Sequence, residues 1–513
     1  MLNVKFAIVS VYYKENIIDV CKELNSLGYR IISTSGTYKL LKENQVDVIE
    51  VSSITNFPEI LNGRVKTLHP KIHGGILYKD KDNHRKQVAE MGIPDIEIVI
   101  VNLYPFEKTV ESTTNLEEII ENIDIGGPTL LRAAAKNFER VAVVVDKNDY
   151  PVLIEKLKNN ENTLEFRMKL AAKAFNHVAY YDAAISKFFN NYISEKFPIE
   201  NSIGIKKVLE LRYGENPHQK ASAYITPNTH CSILTSKVLG GKELSYNNIL
   251  DADVALDMIK RFSNENFCCI IKHNNPCGAV IGNDLKDAFI KAFNSDSVSA
   301  FGGIIGLSKK VTKDVAEEIT KYFFEVVVAP SYDGEALEIL KTKKNLRIIE
   351  VGNLISFSEE VEVRSINGGI LVQEKDNSEE NIEESKVVTN VKPTKEEMED
   401  IKFAWEIVKF VKSNTIVIVK NKQTIGICGG QPSRVDAVKI AISRAKERGF
   451  STEGAVAASD AFFPFKDSVE ILGEAGIKAI VQPGGSVRDQ ESIEEANKRN
   501  ISMIFTGIRH FKH

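Results

Sequence analysis

The sequence predicts an α/β protein of more than one domain, whose first unit is a mainly parallel, doubly wound sheet. Three observations carry this. Short apolar, β-branched runs of strand length alternate with helical patterns. Turns rich in glycine and hydroxyl side chains stand where a strand would hand over to a helix. At 513 residues the chain also exceeds what one hydrophobic core organises.

Residues 5–11 read as a strand and 17–27 as a helix stopped by Gly28; residues 30–33 and 37–43 repeat the pair. Residues 46–51, 96–101 and 141–145 continue the strands. Ser33-Thr34-Ser35-Gly36-Thr37 sets hydroxyls and a glycine at a helix N-terminus, where free N–H groups and the helix dipole favour a phosphate. Asp124-Ile125-Gly126-Gly127-Pro128-Thr129 repeats the arrangement before a helix bearing Arg132 and Lys136. An amphipathic run over 164–189 closes the unit, and the stretch 195–207, with Pro198 and Gly204, reads as a linker between domains at 1–195 and 200–513.

The second unit is organised around Lys272-His273-Asn274-Asn275-Pro276-Cys277-Gly278. The apolar run 267–271 predicts a buried strand that delivers a proton acceptor and a cation to its carboxyl end, followed by a turn at Pro276 and Gly278. Residues 255–262 read as a helix, and Gly302-Gly303-Ile304-Ile305-Gly306 as close packing. The acidic, polar stretch between Glu374 and Lys386 has almost no core residues and reads as a surface excursion or a joint, near 374–392, between two halves. Residues 396–411 form an amphipathic helix with Trp405 on its core face, and 415–419 with 424–428 a hairpin around Asn421-Lys422. Phe462, Phe463 and Phe465 in one proline-containing loop call for a flat ligand or the core to cover them.

Charge and cysteine usage narrow the function. With 66 Lys+Arg against 70 Asp+Glu the formal charge is −4, too nearly neutral for a nucleic-acid or membrane surface. Six scattered cysteines without a Cys-x-x-Cys pair read as reduced thiols, and no apolar stretch is long enough to span a bilayer, so a soluble, cytoplasmic protein is expected.

Several long motifs, in order, resemble the bifunctional purine-biosynthesis family that formylates aminoimidazole carboxamide ribonucleotide (AICAR) and closes the product (FAICAR) to inosine monophosphate (IMP). In the first unit they are Arg64-Val65-Lys66-Thr67-Leu68-His69-Pro70, Asn102-Leu103-Tyr104-Pro105-Phe106 and Asp124-Ile125-Gly126-Gly127. In the second they are Arg212-Tyr213-Gly214, Lys272-His273-Asn274-Asn275-Pro276, Ser413-Asn414, Gly430-Gln431-Pro432-Ser433-Arg434 and Asp460-Ala461-Phe462-Phe463-Pro464-Phe465. The resemblance implies a methylglyoxal-synthase-like domain followed by two cytidine-deaminase-like subdomains. It also implies a homodimer acting on small molecules, with 10-formyltetrahydrofolate as cosubstrate and no tightly bound cofactor. No metal carries over, because a zinc deaminase needs Pro-Cys-x-x-Cys and Pro276-Cys277-Gly278-Ala279-Val280 supplies one thiol.

By the same resemblance, formyl transfer falls to His273 for proton removal, Lys272 for the developing charge or the folate nitrogen that leaves, and Asn414 for orientation and oxyanion hydrogen bonding; cyclisation falls to Lys66, Tyr104, Asp124 and Lys136. Substrate contacts fall to Ser10, Lys14, Ser35, Gly36, Thr37, Arg64, Thr67, Gly126 and Gly127 in the first unit. In the second they fall to Arg212, Tyr213, Phe301, Gly302, Arg434, Phe462, Phe463 and Asp467. One departure stands out: the family usually opens Ser-Val-x-Asp-Lys-Thr-Gly, whereas this chain reads Ser10-Val11-Tyr12-Tyr13-Lys14-Glu15-Asn16, so the following helix is expected to start differently. Two rival readings are a nucleotide deaminase and a regulatory protein that only senses a phosphate ligand.

Overall fold

The computed structural model describes residues 4–354 and 361–513 and divides the chain into two compact units, Met1–Lys206 with Thr226–Asn228, and Lys207–Ile225 with Thr229–His513.

In the first unit, strands β1 (Lys5–Ser10), β2 (Tyr29–Ser33), β3 (Val48–Glu50), β4 (Asp95–Val101) and β5 (Ala142–Val144) pair in the order β3-β2-β1-β4-β5, every pair parallel. The central residues of β1, β2, β4 and β5 are buried, as in Ala7 to Val9 and Ile98 to Ile100, because helices cover both faces, whereas the edge strand β3 is half-buried. Those that position the site are α1 (Ile17–Ser26), α2 (Ser35–Glu43), α3 (Gly126–Lys136) and the long α4 (Leu164–Tyr192). Helix α2 begins two residues earlier than the periodicity suggests, since Ser35 opens it in a left-handed conformation, φ 37°. Before α1, Asn16 takes φ 60°, a conformation that glycine and asparagine tolerate, so the Gly-to-Asn departure keeps the turn.

The second unit is built on one twelve-stranded sheet with an internal echo. Its first lobe holds β6 (Lys237–Gly240), helix α5 (Tyr246–Arg261), β7 (Phe267–Lys272), β8 (Asn275–Ile281), helix α6 (Leu285–Ser295), β9 (Ile304–Leu307), β10 (Val326–Ala329) and β11 (Arg347–Glu350). The second lobe holds β12 (Lys386–Val387), helix α7 (Lys395–Val408), β13 (Ile416–Lys420), β14 (Gln423–Cys428), helix α8 (Arg434–Glu447), β15 (Val456–Ser459), helix α9 (Asp467–Glu474), β16 (Ala479–Gln482) and β17 (Ser502–Phe505). The sheet order is β12-β17-β16-β15-β13-β14-β8-β7-β9-β10-β11-β6. Read outward from the middle, each lobe gives hairpin, then three parallel strands, then a short antiparallel edge. This matches the expectation of two similar subdomains. The lobes meet where Val280 pairs with Gln423 and Thr424 Oγ1 accepts from Ala279 N at 2.9 Å.

Three expectations change. The helix read over 255–262 extends to Tyr246–Arg261, with a Ser245 capping box that starts it earlier. Strand β7 does not run into a Pro-Gly turn: it is antiparallel to both neighbours, and the chain reverses at His273-Asn274. Pro276 and Gly278 lie inside β8, flanking a register shift that leaves Cys277 unpaired, the bulge geometry that tolerates a proline. Nor is the 374–392 stretch only surface. Ile382 is buried, and Glu380, 6 % exposed, pairs at 3.0 Å with Lys409, 5 % exposed, beneath Trp405.

Candidate active sites

In the first unit, β1 and β2 end side by side and bring Ser10, Lys14, Ser35, Gly36 and Thr37 together. Ser10 and Thr34 hydroxyls lie 3.0 Å apart, and Thr37 Oγ1 donates to Val11 O at 3.0 Å while accepting from Lys14 Nζ at 2.6 Å. Burial lowers the Lys14 pKa from its ordinary value. Thr34 makes no side-chain hydrogen bond to the start of α2 and its carbonyl accepts from Thr37 N at 3.1 Å, so the hydroxyls and the ammonium gather beside a helix start that no side chain caps.

A second cluster forms at the start of α3. Asp124 Oδ1 accepts from Gly127 N at 2.7 Å, and a Cβ on Gly127 would stand 2.7 Å from Asp124 Oδ2 and 2.5 Å from Leu103, so only glycine lets the carboxylate fold back there. Burial raises the Asp124 pKa against the opposing pull of the Gly127 and Tyr104 N–H groups and the Lys66 charge. Thr67 is buried against Gly126, and Tyr104 is partly open, its ring edge-on to Tyr12. Two residues that the sequence reading missed join these clusters. Glu59 accepts from Ser35 Oγ at 2.7 Å and pairs with Lys66 at 3.1 Å, and Tyr181 of α4 accepts from Asp124 N at 2.9 Å. Nothing in their local sequence signals a site.

Two residues stand apart. Lys136 ends α3, exposed, ten residues from Gly126 and so about 15 Å along the axis. The helix that carries both holds them at opposite ends, and the structure does not bring Lys136 to Asp124. Arg64 has its guanidinium engaged with Glu121, and both side chains are exposed.

In the second unit, the His273-Asn274 turn has φ of 53° and 59°. This is the two-residue hairpin geometry with both centres left-handed, unusual for histidine. Lys272 Nζ donates to the carbonyls of Phe301 (3.1 Å) and Gly302 (3.0 Å). Gly302 has φ 65°, and a Cβ there would lie 3.3 Å from both Lys272 Nζ and the Phe323 ring. Phe301 is exposed, 5.1 Å from the Phe323 ring centre. Asp251 of α5, not singled out from the sequence, accepts from His273 N and Asn274 N.

Asn275 bridges to the second lobe, donating to His273 O at 3.0 Å and accepting from Lys412 N at 3.3 Å, just before Asn414. A cavity of about 250 Å³ beside the turn is lined by Lys272, His273, Asn275, Cys277, Asp296 and Arg448. Burial pushes the Cys277 thiol up to about 12, so it is no ready thiolate. Among the described residues no group of three or more His, Cys, Asp or Glu is placed to hold a metal ion. In the first turn of α5, Asn248 Nδ2 donates to Glu325 at 2.6 Å and Arg347 pairs with Glu325 at 3.6 Å, a polar group also unmarked in the sequence. Arg212 lies over the Tyr213 ring, 4.8 Å from its centre, exposed and open to a ligand.

Two expected substrate contacts are corrected. Arg434 is buried, with its guanidinium spent on Asp460, Thr415 O (3.2 Å), Ser459 Oγ (3.1 Å) and Asn414 Oδ1 (2.6 Å). It orients Asn414, whose Nδ2 donates to Gln431 O at 2.8 Å. Phe463 is fully buried in the second lobe's core, so of the three loop aromatics Phe462 and Phe465 alone are open. Asp467 opens α9 and accepts from Ser468 N at 2.7 Å.

A parallel-sheet unit that gathers hydroxyls and an ammonium at a helix start, followed in the chain by a two-lobed unit with a Lys-His turn, is the architecture of an enzyme with two candidate sites. The AICARFT/IMPCHase bienzyme family matches residues 134–444, and the MGS-like domain family matches residues 16–129. The chain is 52% identical over 509 residues to the bifunctional purine biosynthesis protein PurH of Aquifex aeolicus, covering 99% of this chain and 100% of that one. It is 52% identical over 516 residues to the protein of the same name from Caldicellulosiruptor saccharolyticus, with 99% and 100% covered. The chain belongs to the AICARFT/IMPCHase bienzyme family and is an enzyme of purine biosynthesis.

Proposed function

We propose that this chain catalyses the last two steps of IMP synthesis with the residues described above. In the second unit the AICAR amine attacks the formyl carbon of 10-formyltetrahydrofolate. One amine proton passes to His273, the bond to the folate nitrogen breaks, and that nitrogen takes up a proton, giving FAICAR and tetrahydrofolate. The observation that carries this reading is the Lys272-His273 turn. An ammonium has three donors, two of which are held by the Phe301 and Gly302 carbonyls, which leaves one for the oxygen where charge develops. Asn414, fixed by Arg434, supplies a further hydrogen bond, and Arg212 with Tyr213 takes the nucleotide.

In the first unit the FAICAR carboxamide nitrogen attacks the formyl carbon within one molecule and water leaves, so positioning contributes most. The cradle of Ser10, Lys14, Ser35, Gly36 and Thr37 suits the phosphate. Asp124, its pKa raised by burial, and Lys66 stand where protons must move. Lys136 is left as a charge at the helix end. The six cysteines are all free thiols and no helix among the described residues is long and apolar enough to cross a membrane; both support a cytoplasmic location. A homodimer follows from the family resemblance.

His273→Ala tests the reading: formyl transfer, followed by absorbance with AICAR and the formyl-folate, should be lost while supplied FAICAR is still cyclised. Near-normal formyl transfer in the variant would refute the base assignment.

A further inference from the structure

The two lobes of the second unit carry the same device at the same place. In the first, β7 ends in Lys272 and turns through His273-Asn274; in the second, β13 ends in Lys420 and turns through Asn421-Lys422, with φ of 54° at both. The correspondence extends to the lysine: Lys272 donates to the carbonyls of Phe301 and Gly302, and Lys420 to that of Glu453 at 2.6 Å, beside Gly454 with φ 74°. It extends also to an asparagine: Asn266 Nδ2 donates to Asn283 O at 3.0 Å just as Asn414 Nδ2 donates to Gln431 O. The second-lobe turn has asparagine where the first has His273, so it has no group that takes a proton near neutral pH.

In both lobes an aspartate from the preceding helix grips the turn. Asp251 Oδ2 accepts from His273 N at 3.1 Å and Oδ1 from Asn274 N at 2.6 Å; Asp400 Oδ2 accepts from Asn421 N at 2.8 Å and Oδ1 from Lys422 N at 2.6 Å. Left-handed backbone is unfavourable for side chains other than those of asparagine and aspartate, so each turn strains one residue, His273 or Lys422, and a carboxylate taking both N–H groups compensates through charge-assisted bonds. The first lobe asks more of this grip, because it holds a histidine whose direction must be right.

We propose that Asp251 is the positioning residue of formyl transfer: it acts through the backbone of the His273-Asn274 turn to aim the imidazole, while Asp400 grips the silent copy of that turn. This rests on the assignment of His273 above. Asp251→Asn keeps one acceptor oxygen and sets an amide against the other N–H, releasing the turn by a fraction of an ångström or more.

The test compares Asp251→Asn, Asp400→Asn and His273→Ala in the full-length protein, reading formyl-transfer kcat, KM for the nucleotide, melting temperature and cyclisation of supplied FAICAR. Asp251→Asn should lose on the order of tenfold or more in kcat with KM within about twofold, the pattern of a misaimed group. Asp400→Asn should melt earlier yet keep its kcat, and Asp251→Glu, which restores both acceptors, should recover part of the loss. If Asp251→Asn does not fold, Asp251→Ser, with one acceptor and less bulk, carries the same expectation. Wild-type kcat in the Asp251 variant, or equal losses of kcat in the Asp251 and Asp400 variants, would overturn the proposal. Loss in His273→Ala with no loss in Asp251→Asn would remove the positioning role alone, whereas activity in His273→Ala would remove the site assignment itself.

Discussion

Replacing Arg434 with methionine separates a residue that builds the formyl-transfer site from one that binds substrate in it. The Arg434 side chain is 6 % exposed and its partner Asp460 fully buried. Methionine fills most of the apolar stem but leaves the carboxylate without its cation, and stranding one charge of a buried pair costs about 3–5 kcal/mol. Asp460 keeps the Thr415 N–H at 3.0 Å and the Ser413 hydroxyl, which favours the lower end, about 3 kcal/mol. At about 2.1 cal/mol/K of unfolding entropy per residue, a unit as large as the second shifts by about 1.5 °C per kcal/mol, so calorimetry should show it melting roughly 5 °C earlier. Asp460→Asn in the same chain should recover much of the loss, because the stranded charge is gone. Formyl transfer should fall mainly in kcat, since Asn414 loses the 2.6 Å bond that orients it. A variant with wild-type melting and a nucleotide KM raised about a hundredfold would show that Arg434 binds substrate directly, and the structural account would fail.

Further outcomes are expected. Lys272→Met should lower formyl-transfer kcat by on the order of 10²–10³ with nucleotide KM little changed; a KM effect alone would make it a ground-state contact. Lys66→Met should impair cyclisation while FAICAR accumulates, measured by chromatography, and equal loss of both activities in folded protein would contradict the assignment. Burial alone would raise Asp376 and Glu380, but hydrogen bonds from His510, Ser378 and Lys409 overcome it and hold both at about 2. Because these folded-state values lie below the unfolded ones of about 4, their stabilisation is present above pH 4 and lost as pH falls towards 2. Denaturant unfolding across that window should show the loss, reduced in Asp376→Asn. A fragment of residues 1–206, made alone, should fold and close the ring of supplied FAICAR; a folded fragment without that activity would contradict an independent first domain.

What the sequence made legible follows from how local each signal is. Strands β1, β2, β4 and β5 are readable because all-parallel strands buried on both faces are largely apolar runs, and Trp405 is readable as core because α7 keeps a strict helical period. The cradle around Ser35 was legible because a helix start advertises itself. The Lys272-His273 reversal was placed correctly as a strand end but given the wrong turn, since Pro276 and Gly278 are the stronger turn formers and nothing nearby shows that a bulge absorbs them. Asp251, Glu59, Tyr181 and Glu325 are invisible because each has a partner 20 or more positions away, through contacts that only the folded chain creates. Arg434 and Phe463 show the converse: their motifs drew attention, but burial decides whether a side chain faces the ligand or the core.

The shortness of β12 and β6 has a consequence for life in a crowded solution. A sheet of twelve strands that does not close on itself leaves two margins where another chain could attach as a thirteenth strand. One margin is Lys386–Val387, two residues long, and the other is Lys237–Gly240, four residues that begin with a lysine and pair irregularly with Ile348 to Glu350. An intruding segment would find too few unpaired N–H and carbonyl groups at either end to hold it against thermal motion. Growth by strand addition therefore stops at the width the fold already has.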